Sequence, residues 1–139
     1  MRAAAAALLA LSALAAAPAP AQSVGELVDR GALTLGAEEL VPLLSGADFA
    51  GPGGSTVSWD LHLWPDGTLS GYQMGAPVTF PVTGDWSVDR QGRFCFFSAG
   101  LRGYRVRRCA LVLSLGNAHY LAAAAEDRSA DAIRVRFAR

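Results

Sequence analysis

Lysine is missing altogether: all 12 basic residues of this 139-residue chain are arginine. Two cysteines and two histidines are all it has of either type, so a zinc site on Cys95 and Cys109 would need two more ligands, with only His62 and His119 as histidines. Structural zinc needs four such ligands held together, and no metal or other cofactor is expected. G-x-S-x-G, a P-loop, H-E-x-x-H and an EF-hand loop are all lacking, which removes the commonest hydrolase, nucleotide and calcium chemistries. "GPGGS" (51–55) is glycine-rich but has neither the lysine nor the helix that a phosphate cradle requires, and it reads as a flexible lead-in to the first strand. Nothing suggests a nucleic-acid partner. No catalytic residue is assigned, and an enzyme is a minority reading that would have to be built around His119, or less plausibly His62.

Past the first 21 residues no apolar run approaches the roughly 20 residues a membrane-spanning helix needs. The start itself, "MRAAAAALLALSALAAAPAPAQS", has Arg2, an apolar stretch from Ala3 to Ala17, and Ala19-Pro20-Ala21. These are the three parts of a cleaved export signal, so residues 1–21 are expected to be removed and 22–139 to form one exported domain, periplasmic or secreted. Removal of 21 residues from 139 leaves 118, enough for a core that buries about two-thirds of the unfolded surface.

The formal net charge of zero conceals two opposed halves. Residues 22–89 hold nine acids and one arginine, whereas 90–139 hold ten arginines and three acids. Either the halves pair their charges at the surface, or the second presents a basic patch to an anionic partner.

Two short helices are expected first. Ser23-Val24-Gly25-Glu26 fits a capping box, with Gly31 as the stop. In "GAEELVPLLSG", Leu40, Val41, Leu43 and Leu44 share a helical face, and Pro42 shortens or kinks the helix. That helix would dock as a lid on an apolar surface. From residue 55 the period changes to two. Val57, Trp59, Leu61 and Leu63 alternate with polar residues, and "WPDGT" turns the chain. The apolar pattern favours pairing Leu63 with Ser70, Leu61 with Tyr72 and Trp59 with Met74. Strand candidates "VTFPV", "DWSV", "RFCFF", "YRVRRCALVL", "HYLAA" and "AIRVRFA" follow, separated by turns such as "VTGD" and "DRQGR". The expected fold is mainly β: an antiparallel meander of about seven or eight short strands forming a small barrel or curled sheet.

Cys95 and Cys109 fall on neighbouring strands, and opposing them places Phe97 against Arg107 and Phe94 against Ala110. An oxidising compartment would join them, closing a loop whose constraint is worth about 3 kcal/mol. Around them, Arg105 and Arg107 share one strand face while Arg108 points the other way. Arg102 and Tyr104 stand near the hairpin tip, and the set Arg102, Tyr104, Arg105 and Arg107 is the candidate contact for an anionic envelope component or a protein. Trp59 and Trp86 are candidate core aromatics. Gly84-Asp85-Trp86 is a G-x-W similar to that of lipocalins, although theirs lies near the first strand, and a small lipocalin-like cavity for an apolar ligand is the alternative function.

The segments "AEELVPLLSG", "WDLHLWPDGTLSG", "GDWSVDRQGRFC" and "YRVRRCALVLSLGNAHY", in that order across 37–120, resemble a group of small exported bacterial proteins classed as domains of unknown function. The Ala-rich "HYLAAAAEDRSAD" departs from that pattern. The resemblance implies a compact β-domain in the cell envelope and no assigned activity.

Overall fold

The computed structural model describes residues 22–52, 57–75, 78–100 and 105–139. The proposed export signal, Arg102 and Tyr104 lie outside the described residues.

The polypeptide forms β1 (Gln22–Ser23), α1 (Val24–Asp29), β2 (Leu33–Thr34), α2 (Ala37–Leu44), β3 (Asp48–Pro52), β4 (Val57–Leu63), β5 (Thr68–Gly75), β6 (Thr79–Val88), β7 (Phe94–Gly100), β8 (Arg105–Leu115), β9 (Ala118–Ala122) and β10 (Asp131–Ala138). Strands β3 to β10 pair antiparallel in sequence order, and β10 returns to β3 through Arg136–Ala50 and Phe137–Phe49. The result is a closed eight-stranded barrel, with β1 added to β10 and β2 added to β8. Closure satisfies both edges of a sheet that would otherwise invite pairing with other chains.

The interior is filled by alternate residues of each strand. Phe49, Trp59, Leu61, Leu63, Leu69, Val82, Trp86, Phe94, Phe96, Val112 and Val135 form one buried cluster with Leu40 and Leu44 of α2. Helix α2 plugs one end of the barrel. Its exit is hydrogen-bonded to β4, Gly46 N–H to Leu63 O at 2.7 Å and Leu63 N–H to Ala47 O at 2.8 Å. Leu40 and Leu44 are fully buried, but Val41, expected on the same face, is 47% exposed. A plug that touches the rim along one narrow stripe needs only the i, i+4 pair.

Helix α1 starts with the capping box in place: Ser23 Oγ accepts from Glu26 N–H at 3.2 Å, and Glu26 Oε2 accepts from Ser23 N–H at 2.8 Å. Its Val24 and Leu27 pack outside the barrel, over Leu113, Tyr120, Ala122 and Ala132, and make a second small core.

The β4–β5 register differs by one residue from the expected one. Leu63 faces Leu69, Leu61 faces Gly71 and Trp59 faces Gln73. The turn decides this. Trp64 N–H bonds Thr68 O at 2.8 Å and Gly67 N–H bonds Trp64 O at 3.0 Å, with Gly67 at φ 88°. That three-residue loop, ending in a left-handed glycine, imposes its own register. Leu69 is buried, and Tyr72 and Met74 turn outward. Gly71 faces in where β4 crowds it, since a Cβ there would lie 2.1 Å from Asp60 O.

Two further expectations change. "VTGD" is no turn, because β6 runs unbroken from Thr79 to Val88. Gly51 and Pro52 belong to β3, a strand the apolar pattern does not announce, since only Phe49 in it is a large buried residue.

Candidate ligand cavity and the disulfide hairpin

Because β8, β9 and β10 are staggered, the barrel wall is incomplete at one place. β9 pairs with β8 only from Leu111 to Leu115, so Arg105–Ala110 of β8 has a described strand partner on the β7 side alone. Beside this gap is a cavity of about 490 Å³. Phe49, Trp59, Phe94 and Phe96 form its floor, and Arg108, Asp131 and Ile133 line its mouth. The floor rings are interlocked: Phe49–Phe94 and Trp59–Phe96 meet edge-on with centroids 5.5 Å apart in each pair. At the opposite end, Leu40 and Leu44 of the α2 plug pack into the same buried cluster as the floor rings.

Trp59 is 2% exposed, and its Nε1 is buried without a hydrogen-bond acceptor among the described residues. Trp86, also buried, spends its Nε1–H on the backbone carbonyl of Trp64 at 2.8 Å. Both indoles are core residues, but only Trp59 borders the cavity. A shallower hollow of about 580 Å³ on the other side of Trp59 follows the β3–β10 seam, where Arg134, Arg136 and His119 contribute. His119 lies against Phe137, centroids 5.6 Å apart, and burial lowers its pKa below the ordinary 6.5. No carboxylate hydrogen-bonds His119 among the described residues, so the relay needed to activate a nucleophile is not assembled there.

Cys95 and Cys109 are directly opposed and disulfide-bonded, Cα–Cα 4.0 Å, with Phe97 facing Arg107 and Phe94 facing Ala110. Cys95 is buried, and Cys109 borders the cavity. Asp89 groups with the two sulfurs in a cluster of potential ligand atoms, but sulfurs consumed in a disulfide are poor metal ligands. The Asp89 carboxylate is occupied in its own turn, accepting from Gln91 N–H and Arg93 N–H at 2.9 Å each and from Arg93 Nε at 2.8 Å. Led by the Arg93 backbone bond, these contacts lower its pKa.

The arginines divide between two environments. Arg105 is exposed on the outer face of β8, and the Arg107 guanidinium lies 5.9 Å from the Phe97 ring centroid, at the edge of the cavity. Arg108 faces Phe96 and turns toward the cavity mouth. The two charge halves meet through Arg128, whose Nη2 contacts Asp29 Oδ1 at 2.6 Å. Among the described residues, neither Arg105 nor Arg107 joins such a bridge.

Sequence reasoning did not anticipate the cavity floor, since Phe49 and Phe96 read only as apolar residues. His62 is held on the outer face, its Nδ1 2.6 Å from Asp48 Oδ1. No protein-family model, curated protein or solved structure matches this chain.

Proposed function

We propose that this chain is a non-enzymatic binding module that holds a small, largely apolar molecule inside its barrel. The observation that carries this is the 490 Å³ cavity floored by four aromatic rings. Its volume is within the range of small-molecule sites, roughly 300–1,000 Å³, and so is its make-up of apolar walls with a few polar groups at the mouth. A guanidinium and a carboxylate at the rim suit a ligand with a polar end left near water. The N-terminal segment and the disulfide both favour action outside the cytoplasm, in the periplasm or beyond the cell.

The test uses the chain from residue 22 onward, with a neutral naphthylamine dye whose emission rises in apolar surroundings. Saturable binding at one dye per chain is expected. Ala110→Trp, which fills the cavity from its wall, should abolish the binding while the melting temperature stays high. No saturable binding, or binding unchanged in that variant, would remove the carrier reading.

A second reading is supported by the unbridged Arg105 and Arg107, which share the outward face of β8 and can meet an anionic envelope component or an acidic protein surface. Reversing the charge of Arg105, which does not border the cavity, should then release such a partner and leave dye binding intact, and added salt should do the same.

A further inference from the structure

We propose that the outer face of β3–β6, away from the cavity, is a docking surface for a neutral glycan, with Trp64 as its stacking platform. The registers set the outward side chains in rows across the barrel wall. Asp48, His62, Ser70 and Thr83 form one row, and Asp60, Tyr72 and Pro81 the next. Rows on one face of a strand are about 7 Å apart, so the two rows, each crossing neighbouring strands, span a patch several sugar units long.

Two large aromatics stand on it in solvent, Trp64 at 47% and Tyr72 at 54% exposure. Solvent-facing indoles ordinarily stay mobile, but this one is tethered. Trp64 Nε1–H donates to Ser70 Oγ at 3.0 Å, and the His62 ring meets the indole edge-on at 4.2 Å between centroids. His62 is held in turn by Asp48. Folding has no use for this relay: the Trp64 group that the core needs is its backbone carbonyl, the acceptor for Trp86, and any residue would supply it. A fixed, exposed aromatic surface loses little entropy when a ligand stacks on it.

The chemistry of the neighbours selects the partner. Between residues 31 and 89 there is no arginine or lysine, while Asp48, Asp60 and Asp85 project from this face, so anions are disfavoured. A sugar ring offers an apolar C–H face for Trp64 or Tyr72, and hydroxyls for Asp60 and Thr83 to bind. Carboxylate acceptors make the stronger of these bonds. A basic peptide is the poorer fit, because the Asp48 carboxylate is already engaged by His62 at 2.6 Å.

The experiment is calorimetric titration of the chain from residue 22 onward with neutral β-linked glucose and N-acetylglucosamine oligomers, two to six units long, at low and high salt. Affinity is expected to rise with oligomer length, to be insensitive to salt, and to fall about tenfold in Trp64→Ala, the loss of one aromatic stacking contact. A matched melting temperature shows that variant to be folded, and Tyr72→Ala, which breaks no described hydrogen bond, gives a second readout with the same expected direction. Ala110→Trp should leave glycan binding intact, which separates this surface from the cavity. The proposal is overturned by no binding across the series, by binding indifferent to both aromatic substitutions, or by salt-sensitive binding of oligolysine in place of the sugars.

Discussion

The carbonyl oxygen of Phe97 occupies the space that a side chain at Gly84 would need: a Cβ built on Gly84 falls 1.8 Å from it. Strands β6 and β7 approach this closely where the wall bends, and only a residue with no side chain permits it. Gly84→Ala must push the two strands apart, because the obstructing atom is backbone and cannot rotate away. A loss of about 3 kcal/mol or more is expected in urea unfolding, with a lower midpoint and an unchanged slope.

The disulfide joins strands already paired, so its effect should appear in the unfolded chain more than in the barrel. Replacing Cys95 and Cys109 together by serine should cost about 3 kcal/mol and leave the far-ultraviolet circular dichroism of the folded state unchanged. Loss of the β-sheet signal would mean that the bridge is needed to form the barrel at all.

The plug makes a paired prediction. Leu44 is fully buried in the barrel end and Val41, one turn earlier, is largely in solvent. Leu44→Ala should cost about 2–5 kcal/mol, whereas Val41→Ala should change stability by about 0.5 kcal/mol or less. Equal effects would contradict the docking of α2.

Trp59 offers a case in which two effects oppose. Trp59→Phe removes apolar contact, which destabilises, but it also removes a buried N–H without an acceptor, a group that costs about 1–3 kcal/mol to keep dry. The net change should be about 1 kcal/mol or less. A larger loss by thermal melting would show that the indole N–H has an acceptor in solution.

Stability should fall as the medium is acidified, in two stages. His119 has a lowered pKa from burial, so on acidification the unfolded chain takes up its proton first and stability declines from about pH 6.5 downward. Asp66, Asp89 and Asp127 have lowered pKa values from hydrogen bonds within their turns. Their contribution is present above the ordinary carboxylate range and disappears below about pH 4 as they protonate. Melting temperature against pH should show both declines, the first absent in His119→Gln and the second reduced in Asp89→Asn.

Much of this architecture was legible because local chemistry and tertiary structure agree. Ser23 and Glu26 form their capping box, and Cys95 and Cys109 pair in the register their neighbours imply. The β4–β5 register was not legible from the apolar pattern. Counting Tyr72 and Met74 as core residues ignored the three-residue loop at Pro65–Gly67, whose geometry outranks side-chain preference. Gly84 misled for a related reason: in "VTGD" it reads as a turn signal, and here it marks close approach of two strands. A lipocalin-like interior beside Trp59 was offered by the sequence as an alternative, but the place of the cavity in the wall was not legible. It depends on the stagger of β8, β9 and β10, a property of barrel closure that no single strand encodes.

That closure also has a consequence in time. The seam joins β3, the first strand of the ring, to β10, the last, and α1 is tied to the same late segment through Val24 N–H and Ala130 O at 2.9 Å. While the polypeptide is being delivered, every hairpin from β4 to β9 can pair with its neighbour, but the ring stays open until residues 131–138 arrive. Joining such distant segments is slow. The last strand to be made therefore carries the lock of the whole ring.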